Sequence, residues 1–112
     1  MSKDDFHVIA YRILKYLYET FKQGELADLE QLSYTALEIN ERYFNMIMLE
    51  LLKNGFIEGV DEVSSLGSLK PQIRINRSIH ITLQGIEYLT DNSTIAKAKR
   101  FLQDVKSVLP SI

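Results

Sequence analysis

The side chains able to meet a partner fall into three groups. Lys70, Arg74 and Arg77 alternate with apolar residues, as residues on the solvent side of a strand do. Cations placed that way can grip phosphate oxygens or lie along a minor groove, and the same charges protect an edge strand from pairing with another chain. Arg42 and Asn45 fall on the outer face of a helix; arginine can read guanine and asparagine can read adenine through paired hydrogen bonds. Met46 and Leu49 share that outer face, and apolar side chains turned toward water suit a protein partner. His7 and His80 are far apart in the chain and lie in no ligand-spaced motif. There is no glycine-rich phosphate loop, and nothing marks a nucleophile. The chain is expected to be non-catalytic, with no cofactor and no metal.

Regular elements must hold these groups in place. The first helix is expected over Lys3–Lys22, with Ser2 and Asp5 forming a capping-box-like start. Phe6, Ile9, Ile13 and Leu17 make its apolar stripe, Ala10, Leu14 and Phe21 widen it, and Gly24 stops it. Residues 25–32 read as a connector or stub strand. Ser33 caps a short second helix, Tyr34–Ile39, whose Tyr34 and Leu37 are expected to pack on the third. Asn40 caps that third helix, which puts Phe44, Ile47, Met48 and Leu51 on one inner face. Asn54-Gly55 ends it and leads directly into a strand over Phe56–Val63. Ser64–Ser68, bounded by Pro71, reads as a flexible tip. A second strand begins near Gln72, with a turn or bulge at Asn76-Arg77-Ser78. Thr82 then caps a helix in which Gly85 allows close packing and Leu89 returns to the core. After a break at Asp91–Ser93, a last helix runs from about Thr94 to Leu109 and ends at Pro110.

The order is helix, helix, helix, strand, strand, helix, helix. That is a mainly helical α+β chain in the order of a winged helix-turn-helix with an added C-terminal helix, 93–110, and it forms one domain over 1–112. Two strands joined by a short loop must be antiparallel. The second strand and its partner would be the wing, and the third helix the reading helix.

Charge divides the chain. Of 112 residues, 46% are apolar and 25% charged, with no cysteine and a net charge of −2, which fits a soluble single-core protein without disulfides. No long apolar run and no signal-peptide core are present, so no membrane span and a cytoplasmic location are expected. Residues 1–62 hold 6 lysine and arginine against 12 aspartate and glutamate, while 63–112 hold 7 against 3. The stretch 28–54 carries 5 acids and 2 bases, which repels phosphate. The wing is therefore expected to make a better nucleic-acid contact than the third helix. Lys97, Lys99 and Arg100 add a basic cluster in the last helix.

Three places give the chain a family likeness: Tyr11-Arg12-Ile13-Leu14-Lys15, the block Phe44–Val60, and Ile81-Thr82 through Gly85 to Tyr88-Leu89. With these it resembles the YjcQ-type proteins, small bacterial and prophage-encoded chains of winged-helix-like fold. The resemblance implies a phage or prophage origin and transfers no catalytic or binding residue. The expected function is a non-catalytic winged-helix protein that binds double-stranded DNA weakly or as an accessory regulator. The alternative is a protein-interaction module or phage-particle component without DNA binding, meeting another protein or a second copy of itself.

Overall fold

In the computed structural model, which describes residues 1–63 and 72–108 with side chains through Val105, the first helix, α1, runs Phe6–Gln23. It starts where the apolar stripe starts, three residues later than the capping-box reading of Ser2 and Asp5 predicts. The Asp5 carboxylate, not Ser2, takes the first orphan amide, that of His7, at 2.9 Å, while the Ser2 hydroxyl donates to Asp4 at 2.7 Å. Val8, Ile9, Ala10, Ile13, Leu14 and Leu17 are buried along α1. Each aliphatic side chain larger than alanine removed from water in this way contributes about 1.5–3 kcal/mol. Phe21, expected on that stripe, is exposed because the last turn overruns the elements packed on α1: residues 21–26 all face solvent.

The connector 25–32 forms no strand. It folds around Asp28, whose carboxylate accepts the Glu30 amide at 2.9 Å and whose own amide donates to the Tyr16 hydroxyl at 2.8 Å. The second helix, α2, is the single turn Tyr34–Leu37, capped by Ser33. It stops before Ile39 because Glu38 enters the left-handed region at φ 59°. Leu37 reaches the core, but Tyr34 does not and stays exposed; one turn is too short to bury both. Arg12 of α1 donates to the Leu37 carbonyl at 3.4 Å, giving an orphan carbonyl of this short helix a partner.

The third helix, α3, is Glu41–Lys53, with the Asn40 side chain accepting the Tyr43 amide at 2.8 Å. Phe44, Ile47, Met48 and Leu51 are all buried, as their spacing predicts. The chain leaves α3 through Gly55 at φ 76°. There the Phe56 amide returns to the Leu51 carbonyl at 2.9 Å and the Gly55 amide to Leu52 at 3.0 Å, which closes the end of the helix.

Two antiparallel strands follow, β1 (Ile57–Val63) and β2 (Gln72–Ile81). Ile57 pairs with Ile81 and Glu58 with His80, but Val60 pairs with Ile75. The extra β2 residues form the bulge expected at 76–78. Gly59 makes room for it: at φ 98°, a Cβ there would stand 2.6 Å from the Ile79 Cα. The expected tip Ser64–Ser68, with Lys70 and Pro71, and the chain end at Leu109-Pro110 lie outside the described residues.

Helix α4 (Leu83–Asp91) is capped by Thr82, and helix α5 (Ser93–Val108) starts where the Asn92 side chain accepts the amides of Thr94 and Ile95 at 2.9 and 3.0 Å. Ile95 and Ala98 are fully buried, and α5 lies along α1 and α4. The face of α5 that carries Ile95 and Ala98 is thus used inside this chain. Gly85 lets α4 rest on the turn after α3, because a Cβ there would run into the Phe56 carbonyl and the Ile81 side chain. The Tyr88 ring stacks on Phe56 with centroids 4.3 Å apart.

Candidate nucleic-acid interface

Helical spacing puts Arg42, Met46, Leu49 and Lys53 in one row along α3, opposite the buried face. Arg42 and Lys53 are exposed, Met46 is 49% exposed and Leu49 is half-buried. The exposed acids Glu41 and Glu50 flank this row. Asn45 sits toward the hairpin rather than at the crest.

Between α3, the connector and β2 runs an open groove of about 600 Å³. Leu29, Leu32 and Phe44 line its apolar part. Glu41 and Asn45 reach it from α3, and Ile73, Arg74 and Ile75 from β2. The fold therefore brings together Asn45 and Arg74, two residues singled out on separate elements. Arg42, Met46 and Leu49 lie outside the groove, as does Arg77, which is exposed in the bulge.

The hairpin mixes the two halves of the charge distribution. Arg74 of β2 stands opposite Asp61 of β1 in the ladder, and Asn76 donates to the Asp61 carboxylate at 3.3 Å. His80 Nε2 lies 3.3 Å from the Glu58 carboxylate, and its Nδ1 is 2.9 Å from the Ser78 carbonyl. With Glu62 also on β1, the cations of β2 lie beside an acidic strand. Such exposed pairs contribute little to stability, about 0–1 kcal/mol, but they reduce the field a phosphate would meet.

Among the described residues, the basic side chains of the rear half divide between the hairpin, with Arg74 and Arg77, and α5, with Lys97, Lys99 and Arg100. Lys99 of α5 lines a cleft with Arg12 and Lys15 of α1, and the cleft continues past Lys22. Sequence reasoning missed this cluster because α1 belongs to the acidic half. Its signal was present: Arg12, Lys15 and Lys22 recur at helical spacing and share a face.

Among the described residues no group of three His, Cys, Asp or Glu side chains could hold a metal ion, and no helix is long and apolar enough to cross a membrane. His7 lies 3.7 Å from the Asp5 carboxylate. Two phenols titrate above their usual range. Burial raises Tyr43, helped by the charges of Asp4 and Asp5, and burial alone raises Tyr88.

A family model described as YjcQ protein matches residues 11–108, from the second turn of α1 to the end of α5. No curated protein and no solved structure matches the chain.

Proposed function

We propose that this chain, which belongs to the YjcQ family, is a non-catalytic winged-helix protein of phage or prophage type, working in the cytoplasm as a weak or accessory DNA-binding regulator. The observation that carries this reading is the meeting of Asn45 and Arg74 in one groove. From that groove Asn45 can be presented to base edges by a helix laid in the major groove while Arg74 reaches flanking phosphates. The element order supports the same reading. Weakness follows from Glu41 in the groove and Asp61 opposite Arg74, both of which repel phosphate. Titration of labelled duplex DNA at about 50 mM salt tests it. Binding is expected, and Arg74→Ala with Arg77→Ala should weaken it and lower the salt slope by up to about 1.8, at about 0.9 per phosphate contact. No binding at that salt, or none lost in the double variant, rules the wing contact out.

One observation favours a second reading, a protein-interaction module or phage-particle component. Met46 is 49% exposed on a helix crest beside half-buried Leu49. A protein or second-copy partner held there should be lost on Met46→Glu, with DNA binding unchanged; a partner retained by that variant removes this reading.

A further inference from the structure

We propose that the cleft between α1 and α5 is a second, sequence-independent contact for the phosphodiester backbone of DNA. It rests on the reading that the chain handles DNA, but it uses none of the residues assigned to α3 or the hairpin.

Two adjoining hollows of about 450 and 480 Å³ share Tyr11, Lys15, Glu19 and Lys99 and so form one trough. Arg12, Lys15 and Lys22 line it from α1 and Lys99 from α5. Among the described residues the one acid lining it is Glu19, and that carboxylate is turned to Lys22 at 3.4 Å. The trough therefore keeps a clear positive excess, whereas Arg74 faces an acid across the ladder.

The ammonium groups are also partly pre-positioned. Lys22 lies 4.7 Å above the Tyr18 ring and Lys15 5.8 Å from that of Tyr11. Contacts of this kind limit the side-chain ordering that binding must otherwise supply.

The layout fits a regular polyanion. From Arg12 to Lys22 the helix rises roughly 15 Å at about 1.5 Å per residue. One DNA strand presents a phosphate about every 3.4 Å along the helix axis, so that row faces about four of them. A free arginine fork would add directed, bidentate contacts to carboxylate and phosphate alike. Arg12 is half-buried and already donates to Leu37 at 3.4 Å, which leaves lysines, acting as point charges, in the exposed positions. That composition suits diffuse contact with a backbone and offers no means of reading bases.

The test uses the full chain and a labelled mixed-sequence duplex titrated between about 50 and 200 mM salt. Lys15→Gln with Lys99→Gln changes two exposed side chains. The double variant should keep its thermal midpoint, bind at least about tenfold more weakly at low salt, and lose about 1.8 from the salt slope. A scrambled duplex should show the same loss. An unchanged slope and affinity overturn the inference. So does a variant that loses binding to polyglutamate or to phosphatidylserine vesicles while holding DNA as before, since the cleft would then serve an acidic protein or a membrane. Loss in the Arg74/Arg77 variant alone keeps the earlier reading and removes this one. Loss in the Lys15/Lys99 variant alone does the reverse, and a wild-type chain that binds no DNA removes both.

Discussion

The Thr82 hydroxyl donates to the Gly55 carbonyl at 2.5 Å and accepts the Gly85 amide at 3.0 Å. One side chain thus caps α4 and ties it to the end of α3. The Thr82 amide adds a third link, to the Phe56 carbonyl at 3.0 Å. Thr82→Val removes the hydroxyl at nearly constant shape. It should cost about 1.5–3 kcal/mol, combining a lost N-cap with an unpaired carbonyl. Urea unfolding should show a lower midpoint at constant slope, with Thr82→Ser close to wild type. A Thr82→Val midpoint equal to wild type would show that the hydroxyl does not hold these helices together.

At Gly85 two effects have opposite signs. Helix propensity favours alanine over glycine by about 0.8–1 kcal/mol. Against it, a Cβ would press on the Phe56 carbonyl and come within 2.7 Å of Ile81 Cγ1. Overpacking of this kind costs about 1–3 kcal/mol and more where the obstacle is backbone. Packing should win, so Gly85→Ala lowers the thermal midpoint by several degrees and disturbs the Phe56–Tyr88 stack. A raised midpoint would mean that α4 can move away from the turn after α3 at little cost.

What could be read along the chain was local. Phe44, Ile47, Met48 and Leu51 declare the buried face of α3 through their period, and Ser33, Asn40 and Thr82 declare its neighbours' starts and its own, because a cap needs only the next three residues. The bulge at Asn76–Ser78 was legible from its break in alternation. Distant relations were not. Nothing near Arg74 says that Asp61 will stand opposite it, since that pairing depends on how many residues the bulge inserts. Tyr34 looked like a core residue, but Glu38 ends α2 after one turn. The α1–α5 cleft needs two helices separated by 69 residues of chain, between Gln23 and Ser93, to dock. Charge counted by sequence half could not show it, although the Arg12, Lys15, Lys22 spacing held part of the signal.

Alkaline pH should destabilise the fold through two tyrosines. Tyr43 and Tyr88 both hold their phenol proton more tightly in the folded state than the unfolded value of 10.0. Their contribution is fully present below that value. It declines as pH rises from there through the folded values, because the unfolded chain releases its protons first. Ionising Tyr43 also removes its donation to the Asp4 carbonyl, 2.6 Å long in the folded state. Urea midpoints followed from about pH 8 to about pH 11 should fall over the upper part of that range. Tyr43→Phe with Tyr88→Phe should flatten the fall, and a decline of the same steepness in the double variant would place its origin in other groups.

The pairing of Asp61 with Arg74 gives the DNA reading its most direct test, because it predicts a gain rather than a loss. Asp61 stands opposite Arg74 in the ladder and accepts from Asn76 at 3.3 Å. Its charge therefore offsets that of Arg74 and repels an approaching phosphate. Asp61→Asn removes the charge and keeps an oxygen to accept from Asn76, so the hairpin should hold its shape. An exposed charge interaction is worth about 1 kcal/mol at most, so duplex affinity at low salt should rise by up to about fivefold. The gain should shrink as salt approaches about 200 mM, where screening shortens the reach of both charges. It should also shrink in an Arg74→Ala background, where only the direct repulsion by Asp61 remains, since the double-mutant cycle isolates the coupling between the two side chains. If Asp61→Asn leaves affinity unchanged at low salt, phosphate does not approach this strand. An equal gain in the Arg74→Ala background would instead mean that Asp61 acts on DNA through its charge alone and that Arg74 makes no contact.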